Sequence, residues 1–143
     1  MDKLNSKGGV SFSALNPQDD FSPHPEHQSV LVVDDEENYL TLLRWFLTQR
    51  GYDVCTASSV DEALCLLSDH SFKVALIDLK LGTGDGITLL DQLIQREPDL
   101  KAIMMTAYPT VGSIKLAFDK GASRYLTKPV DLHELAEVIQ MLL

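Results

Sequence analysis

Val30-Leu31-Val32-Val33-Asp34-Asp35 is a continuous apolar run that stops abruptly in two acids. Lys73-Val74-Ala75-Leu76-Ile77-Asp78 has the same form, four apolar residues closed by a carboxylate, and Ala102-Ile103-Met104-Met105 is a third such run, closed by Thr106. A strand that faces water on one side alternates apolar with polar residues. These three do not alternate, so they read as strands covered on both faces, which is the pattern of a parallel sheet with helices above and below it.

The segments between the runs supply those helices. Glu37 to Arg50 puts Leu40, Leu43 and Leu47 on one helical face, and Gly51 stops it. Tyr52 to Ala57 is a second, weaker strand. Ser59 followed by Glu62 has the spacing of a capping box, in which the hydroxyl takes an orphan amide and the carboxylate reaches back, so a helix is expected to run to about Asp69. Ile87, Leu90, Leu93 and Ile94 mark a third helix that ends before Pro98. Val111 to Lys120 is the fourth helix, with Gly121 at its end. Ser123 to Thr127 is the fifth strand, and Asp131 caps a last helix that reaches Leu143, with Glu134 three residues on. Five strands alternating with five helices predict an α/β domain, a doubly wound (βα)5 unit with a five-stranded parallel sheet, because each strand-helix-strand crossover is right-handed and covers one face.

Composition bounds what such a domain does. The chain has 143 residues, 12 basic and 21 acidic side chains and a formal charge of −9. That balance opposes a grip on nucleic acid, which needs clustered Lys and Arg against phosphates. No apolar run approaches the roughly 18 to 20 residues that span a bilayer, and the N-terminus lacks the order of a signal peptide, so a cytoplasmic location with no membrane contact is expected. Cys55 and Cys65 lie in apolar stretches and read as small buried thiols rather than a disulfide. Residues 1–28 hold Ser, Asn, Gly, Pro, Asp and His with scattered apolar residues of no period, and are expected to form a flexible N-terminal arm. His24 and His27 lack a third metal-binding partner and read as solvated. The folded unit is then 29–143.

In an open parallel sheet, ligands sit outside the carboxyl ends of the strands. Those ends bring Asp34, Asp35, Asp78, Thr106 and Lys128 to one edge. Two carboxylates about 5 Å apart repel by roughly 3 kcal/mol at an effective dielectric near 20. Three together call for a hard divalent cation with oxygen ligands, which points to Mg²⁺. Glu36, Glu37 and Asp85 are expected near the same edge, adding to its attraction for the ion. Lys128 is placed to steady an anion on Asp78, and Thr106 to donate to it. Metal, ammonium and hydroxyl around one carboxylate form an apparatus for holding a phosphoryl group through transfer, with Asp78 as nucleophile.

With these residues in order, residues 29–143 resemble the receiver domains of bacterial two-component response regulators. The resemblance is carried by Val32-Val33-Asp34-Asp35, by Ile77-Asp78-Leu79 with Asp85-Gly86, by Met105-Thr106-Ala107 and by Tyr125-Leu126-Thr127-Lys128-Pro129. It implies a flavodoxin-like sheet of strand order 2-1-3-4-5. It makes Asp78 the phosphoacceptor, loaded from the phosphohistidine of a sensor histidine kinase or a phosphotransfer protein. Asp35 and Asp78 with the backbone carbonyl of Lys80 would bind Mg²⁺, with Asp34 close by. Thr106 and Lys128 would contact phosphoryl oxygens, and the Lys128-Pro129 peptide would be cis. Thr106 and Tyr125 would be the switch residues, reshaping the surface of the fourth helix, fifth strand and fifth helix to control a downstream effector module, with a phosphorylation-dependent homodimer as one output. By the same resemblance, Lys80, Ala107 and Tyr108 would occupy positions that set access to Asp78 and the rate of attack by water. Lys80 and Tyr108 are bulky, so slow self-dephosphorylation is expected. The Asp-Leu-Lys-Leu stretch with its glycine loop is most similar to receivers of transcriptional regulators of the NtrC and RegA/PrrA kinds.

The loop Leu81-Gly82-Thr83-Gly84-Asp85-Gly86 replaces a Met-Pro pair of many relatives and is expected to be looser. Two other classes fit less well. An aspartyl-phosphate hydrolase of the haloacid-dehalogenase kind needs a second acid two residues after its nucleophile, where this chain has Lys80. A flavodoxin-like cofactor binder needs a phosphate-cradling loop after strand one, where Asp34-Asp35-Glu36-Glu37 would repel a phosphate. A stand-alone phosphorelay or protein-interaction receiver is the remaining alternative.

Overall fold

Strands and helices alternate along the chain in the computed structural model, which describes residues 28–82 and 84–143. They are β1 (Ser29–Val33), α1 (Glu37–Gln49), β2 (Asp53–Ala57), α2 (Val60–Asp69), β3 (Val74–Asp78), β4 (Lys80–Leu81), β5 (Gly84–Asp85), α3 (Gly86–Arg96), β6 (Lys101–Thr106), α4 (Val111–Asp119), β7 (Arg124–Thr127) and α5 (Leu132–Leu142). The main sheet has the order β2-β1-β3-β6-β7, with every pair parallel. Setting aside the β4-β5 ribbon, this is the expected 2-1-3-4-5 order of a flavodoxin-like fold. The flexible arm expected for residues 1–28 lies outside the described residues, except for Gln28.

The unbroken apolar runs do what their pattern requires, because alternate residues of each strand feed two separate cores. Leu31, Val33, Ala75, Ile77, Ala102 and Met104 point to one face and pack with Ala63 of α2, Leu89, Leu90 and Leu93 of α3, and Ala117 of α4. Val30, Val32, Val74, Leu76, Ile103 and Met105 point to the other, against Leu40, Leu43 and Leu47 of α1 and Leu135 and Ile139 of α5. Each fully buried Leu, Ile or Val adds about 1.5–3 kcal/mol of apolar burial. Register then aligns the strand ends: Val33 pairs with Ile77, Asp78 with Met105, and Thr106 with Thr127. The carboxyl edge is therefore level, and the residues after each strand emerge side by side.

Helix starts follow the short polar residues before them. Asp131 accepts from the Glu134 amide at 3.0 Å, as expected. Ser59 accepts from the Glu62 amide at 3.2 Å, but the Glu62 carboxylate turns to the amide and hydroxyl of Ser58 instead of closing back on Ser59. A reciprocal capping box exists at α4, between Thr110 and Ser113. Gly51 and Gly121 end α1 and α4 at φ of 93° and 108°, a region open to glycine at little cost.

The glycine-rich loop carries a feature the sequence does not indicate. Lys80 pairs with Asp85 and Leu81 with Gly84 in a short antiparallel ribbon, with Thr83 outside the described residues. Its glycines serve close approach. A Cβ on Gly84 would lie 2.6 Å from Val60 Cγ2, and one on Gly86 would lie 2.2 Å from the Asp78 carbonyl oxygen. Cysteine burial is also corrected: Cys55 is half-buried, Cys65 is exposed on α2, and both thiols are free. Among the described residues no helix is long and apolar enough to cross a membrane.

Candidate functional site

Three backbone hydrogen bonds carry the sheet one step beyond its strands and aim the residues of the site. Asp34 N–H donates to Ala57 O at 3.1 Å, Leu79 N–H to Met105 O at 2.8 Å and Lys128 N–H to Thr106 O at 2.7 Å. The Lys128-Pro129 peptide is cis. Asp34, Asp35, Asp78, Thr106 and Lys128 thus converge on the carboxyl edge, as the sequence predicts. Asp34 and Thr106 are fully buried, the side chains of Asp78 and Lys128 nearly so, and Asp35 is exposed.

One carboxylate oxygen from each of Asp34, Asp35 and Asp78 lies within 4.8 Å of the other two. The acids expected to reinforce this group do not join it. Glu36 and Glu37 are exposed at the start of α1, and Asp85 turns away to cap α3, accepting from the Ile87 amide at 2.9 Å. Asp34 Oδ1 accepts from the Glu36 amide at 2.9 Å, and Asp78 Oδ1 from the Lys80 amide at 3.2 Å. Lys128 Nζ lies 2.5 Å from Asp34 Oδ2 and 3.2 Å from Asp78 Oδ2. The ammonium is therefore closer to Asp34 than to Asp78 and bridges the two.

The electrostatics record a shortage of positive charge. Burial, and then the charge of Asp34, push the Asp78 carboxyl above its ordinary value, against the opposing pull of Lys128 and the Lys80 amide. Burial by itself would lower the Lys128 ammonium, but hydrogen bonding and charge from Asp34, with a further contribution from Asp78, carry it above the ordinary lysine value. One ammonium serves two carboxylates here, and the Asp78 carboxyl stays above its ordinary value. A hard cation among the three acids would relieve this, and an all-oxygen donor set suits it.

Around this centre, Thr106 Oγ1 accepts from the Tyr108 amide at 3.1 Å. Ala107 and Tyr108 are exposed on the following loop, and Lys80 Nζ sits 5.9 Å from the centroid of the Tyr108 ring, so these bulky residues meet above the edge. Tyr125 is half-buried, its hydroxyl 2.9 Å from Ser113 Oγ, which joins β7 to the capping box of α4. Sequence reading missed Ser113, and it missed Tyr39. The Tyr39 ring, in the first turn of α1, lies beneath Lys128 with Nζ 4.7 Å from its centroid. An aromatic four residues after the second acid was the available signal, but it is hidden among ordinary half-buried helix residues.

The model of the response regulator receiver domain matches residues 30–140. The photosynthetic apparatus regulatory protein RegA of Cereibacter sphaeroides is 32% identical over 112 residues, which cover 78% of this chain and 61% of RegA. A response regulator protein from Burkholderia pseudomallei, solved with a phosphorylated aspartic acid, calcium ion and citrate, aligns at a TM-score of 0.73 and 31% identity, over 80% of this chain and 71% of that one. The beryllofluoride-activated NtrC4 receiver domain dimer aligns at a TM-score of 0.75 and 32% identity, over 80% of this chain and 94% of that one. Similarity to both the NtrC and RegA kinds is what the loop after Asp78 predicts.

Proposed function

Because the chain belongs to the response regulator receiver domain family, we propose that residues 29–143 act as a signalling unit whose Asp78 accepts a phosphoryl group from the phosphohistidine of a sensor histidine kinase or phosphotransfer protein. One Asp78 oxygen forms the new bond to phosphorus while the phosphorus–nitrogen bond breaks, and the electron pair leaves with the donor imidazole. The observation that carries this reading is the meeting of three carboxylates with a single ammonium at a level sheet edge, with Asp78 short of neutralising charge.

The donor set fits Mg²⁺, held by Asp34, Asp35, Asp78 and the backbone carbonyl of Lys80; the ion would supply the positive charge that neutralises the incoming phosphoryl oxygens. Lys128 leans from Asp34 toward the same oxygens, and Thr106 gives up the Tyr108 amide to donate its hydroxyl to them. Such a site works by position and charge, which is all that phosphoryl transfer asks of it. Lys80 and Tyr108 cover the approach and slow hydrolysis, with Ala107 leaving an opening between them. As Thr106 moves, Tyr125 turns inward and must release Ser113, which passes the change to α4 and alters the surface of α4, β7 and α5.

The output we propose is control of transcription through an effector module, supported by likeness to RegA, of which the matched region is 61%. The dimer described for the NtrC4 receiver supports phosphorylation-dependent pairing as one route. A cytoplasmic location follows from a kinase partner. A signalling acceptor fits better than a hydrolase, since Lys80 stands where that enzyme class needs its second acid. The reading is tested by incubating the chain with acetyl phosphate and Mg²⁺ and weighing it. An acid-stable, base-labile gain of one phosphoryl group is expected; its absence in the wild type, or its persistence in Asp78→Asn, would overturn the assignment.

A further inference from the structure

The two carboxylates that hold Lys128 fix only the tip of its side chain, which reaches them on a flexible four-carbon stem. The other side of the ammonium is closed by the face of Tyr39, 4.7 Å away at the centroid. Tyr39 is half-buried against the core beneath α1 and α5, and its amide donates to Glu36 O at 3.0 Å, within the turn that also aims Asp34 and Asp35. Its position is therefore set by the same backbone that sets the acids. The hydroxyl is buried and lies toward the Val130 backbone, outside ordinary hydrogen-bond geometry, and the ring face does not need it to reach Lys128. Burial raises the phenol above its usual value, against the opposing effect of Lys128, so the ring stays neutral with its electron-rich face intact.

We propose that Tyr39 is a positioning residue for phosphoryl transfer, holding the Lys128 ammonium by a cation–π contact so that it is already aimed between Asp34 and Asp78 before the donor arrives. This rests on the phosphoacceptor reading of Asp78. The face acts and the hydroxyl does not, which separates this role from ordinary packing. An ammonium free to swing into water would have to be collected again in each transfer, at a loss of about 5- to 10-fold in rate for a contact of this kind.

The test uses the full chain with acetyl phosphate and saturating Mg²⁺, comparing wild type, Tyr39→Phe, Tyr39→Leu and phenylalanines at position 39 bearing one, two and three fluorines, which drain the ring face stepwise at nearly constant shape. Tyr39→Phe is expected to stay within about twofold of wild type, the fluorinated series to fall with each fluorine at an unchanged melting temperature, and Tyr39→Leu to be about 5- to 10-fold slower. In the metal-free protein, the ε-methylene protons of Lys128 should show an upfield ring-current shift that survives Tyr39→Phe and vanishes in Tyr39→Leu. A rate that is flat across the fluorines, or a rate loss in Tyr39→Leu matched by loss of folded protein with the fluorinated series unaffected, would overturn the inference alone. A wild type that takes no phosphoryl group would overturn the phosphoacceptor reading, and the inference with it.

Discussion

Replacing Asp78 by asparagine should stabilise the metal-free protein, although it removes a partner of Lys128. Carboxylate oxygens of Asp34 and Asp78 lie within 4.8 Å of each other, a repulsion of about 3.5 kcal/mol at an effective dielectric near 20. Asp35 adds a repulsion of roughly half that size, because it is exposed and screened. Against these, Lys128 at 3.2 Å returns about 5 kcal/mol. The charge terms nearly cancel. What remains is the cost of dehydrating a carboxylate whose side chain is only 11% exposed, of which asparagine, with the same shape and an oxygen for the Lys80 amide, is relieved. A net gain of about 2 kcal/mol corresponds to about 8 °C in melting temperature for a domain of this size. The pH dependence has a definite sign. Burial and Asp34 raise the folded-state value of Asp78, so its contribution to stability is intact below the unfolded value near 3.9 and is lost as pH rises through the folded value. The gap between Asp78→Asn and wild type should therefore be small at about pH 4, full at about pH 8, and closed by Mg²⁺, which would stabilise the wild type. Thermal melts monitored by circular dichroism with and without Mg²⁺ measure all three. A variant no more stable than wild type at pH 8 without divalent ions, or a gap equal at both pH values, would refute the reasoning.

Lys128→Ala should lower stability by about 3 kcal/mol in urea unfolding, because it leaves Asp34 buried and uncompensated; an effect under 1 kcal/mol would mean that water reaches Asp34. Gly86→Ala should cost about 2 kcal/mol and weaken Mg²⁺ binding in titration calorimetry, since the new Cβ would meet the Asp78 carbonyl oxygen at 2.2 Å and push β3 off register; unchanged metal affinity would count against that link. The Lys80→Asn, Tyr108→Glu double variant should lose its phosphoryl group faster than wild type, by mass spectrometry over time, because it opens the cover above the sheet edge; a lifetime that does not shorten would sink the crowding argument.

Much of this molecule is legible in its sequence, for reasons particular residues make plain. Val30 to Val33, Val74 to Ile77 and Ala102 to Met105 cannot be one-sided strands, and once they are central the acids and Thr106 that end them must share an edge. The β4-β5 ribbon was not legible, because two-residue strands have no periodicity and the glycines that look like freedom in sequence are clearances for Val60 and the Asp78 carbonyl. Asp85 reads like another acid of the site until its carboxylate is seen on the Ile87 amide. Thr110 and Ser113 escape the usual capping signature, which has Glu or Gln in the third helical position. The sharing of Lys128 between Asp34 and Asp78 depends on how the sheet order brings three strand ends together, which neither residue's neighbours in sequence encode.

The most direct measurement locates the phosphoryl group itself. The chain is treated with acetyl phosphate and Mg²⁺, reduced with borohydride, which converts an aspartyl phosphate to homoserine, then digested and sequenced by mass spectrometry. Homoserine in place of Asp78 alone, abolished by omitting Mg²⁺, is the predicted result. Homoserine at Asp34 or Asp35, or Asp78 recovered unmodified from a protein that had gained a phosphoryl group, would contradict it.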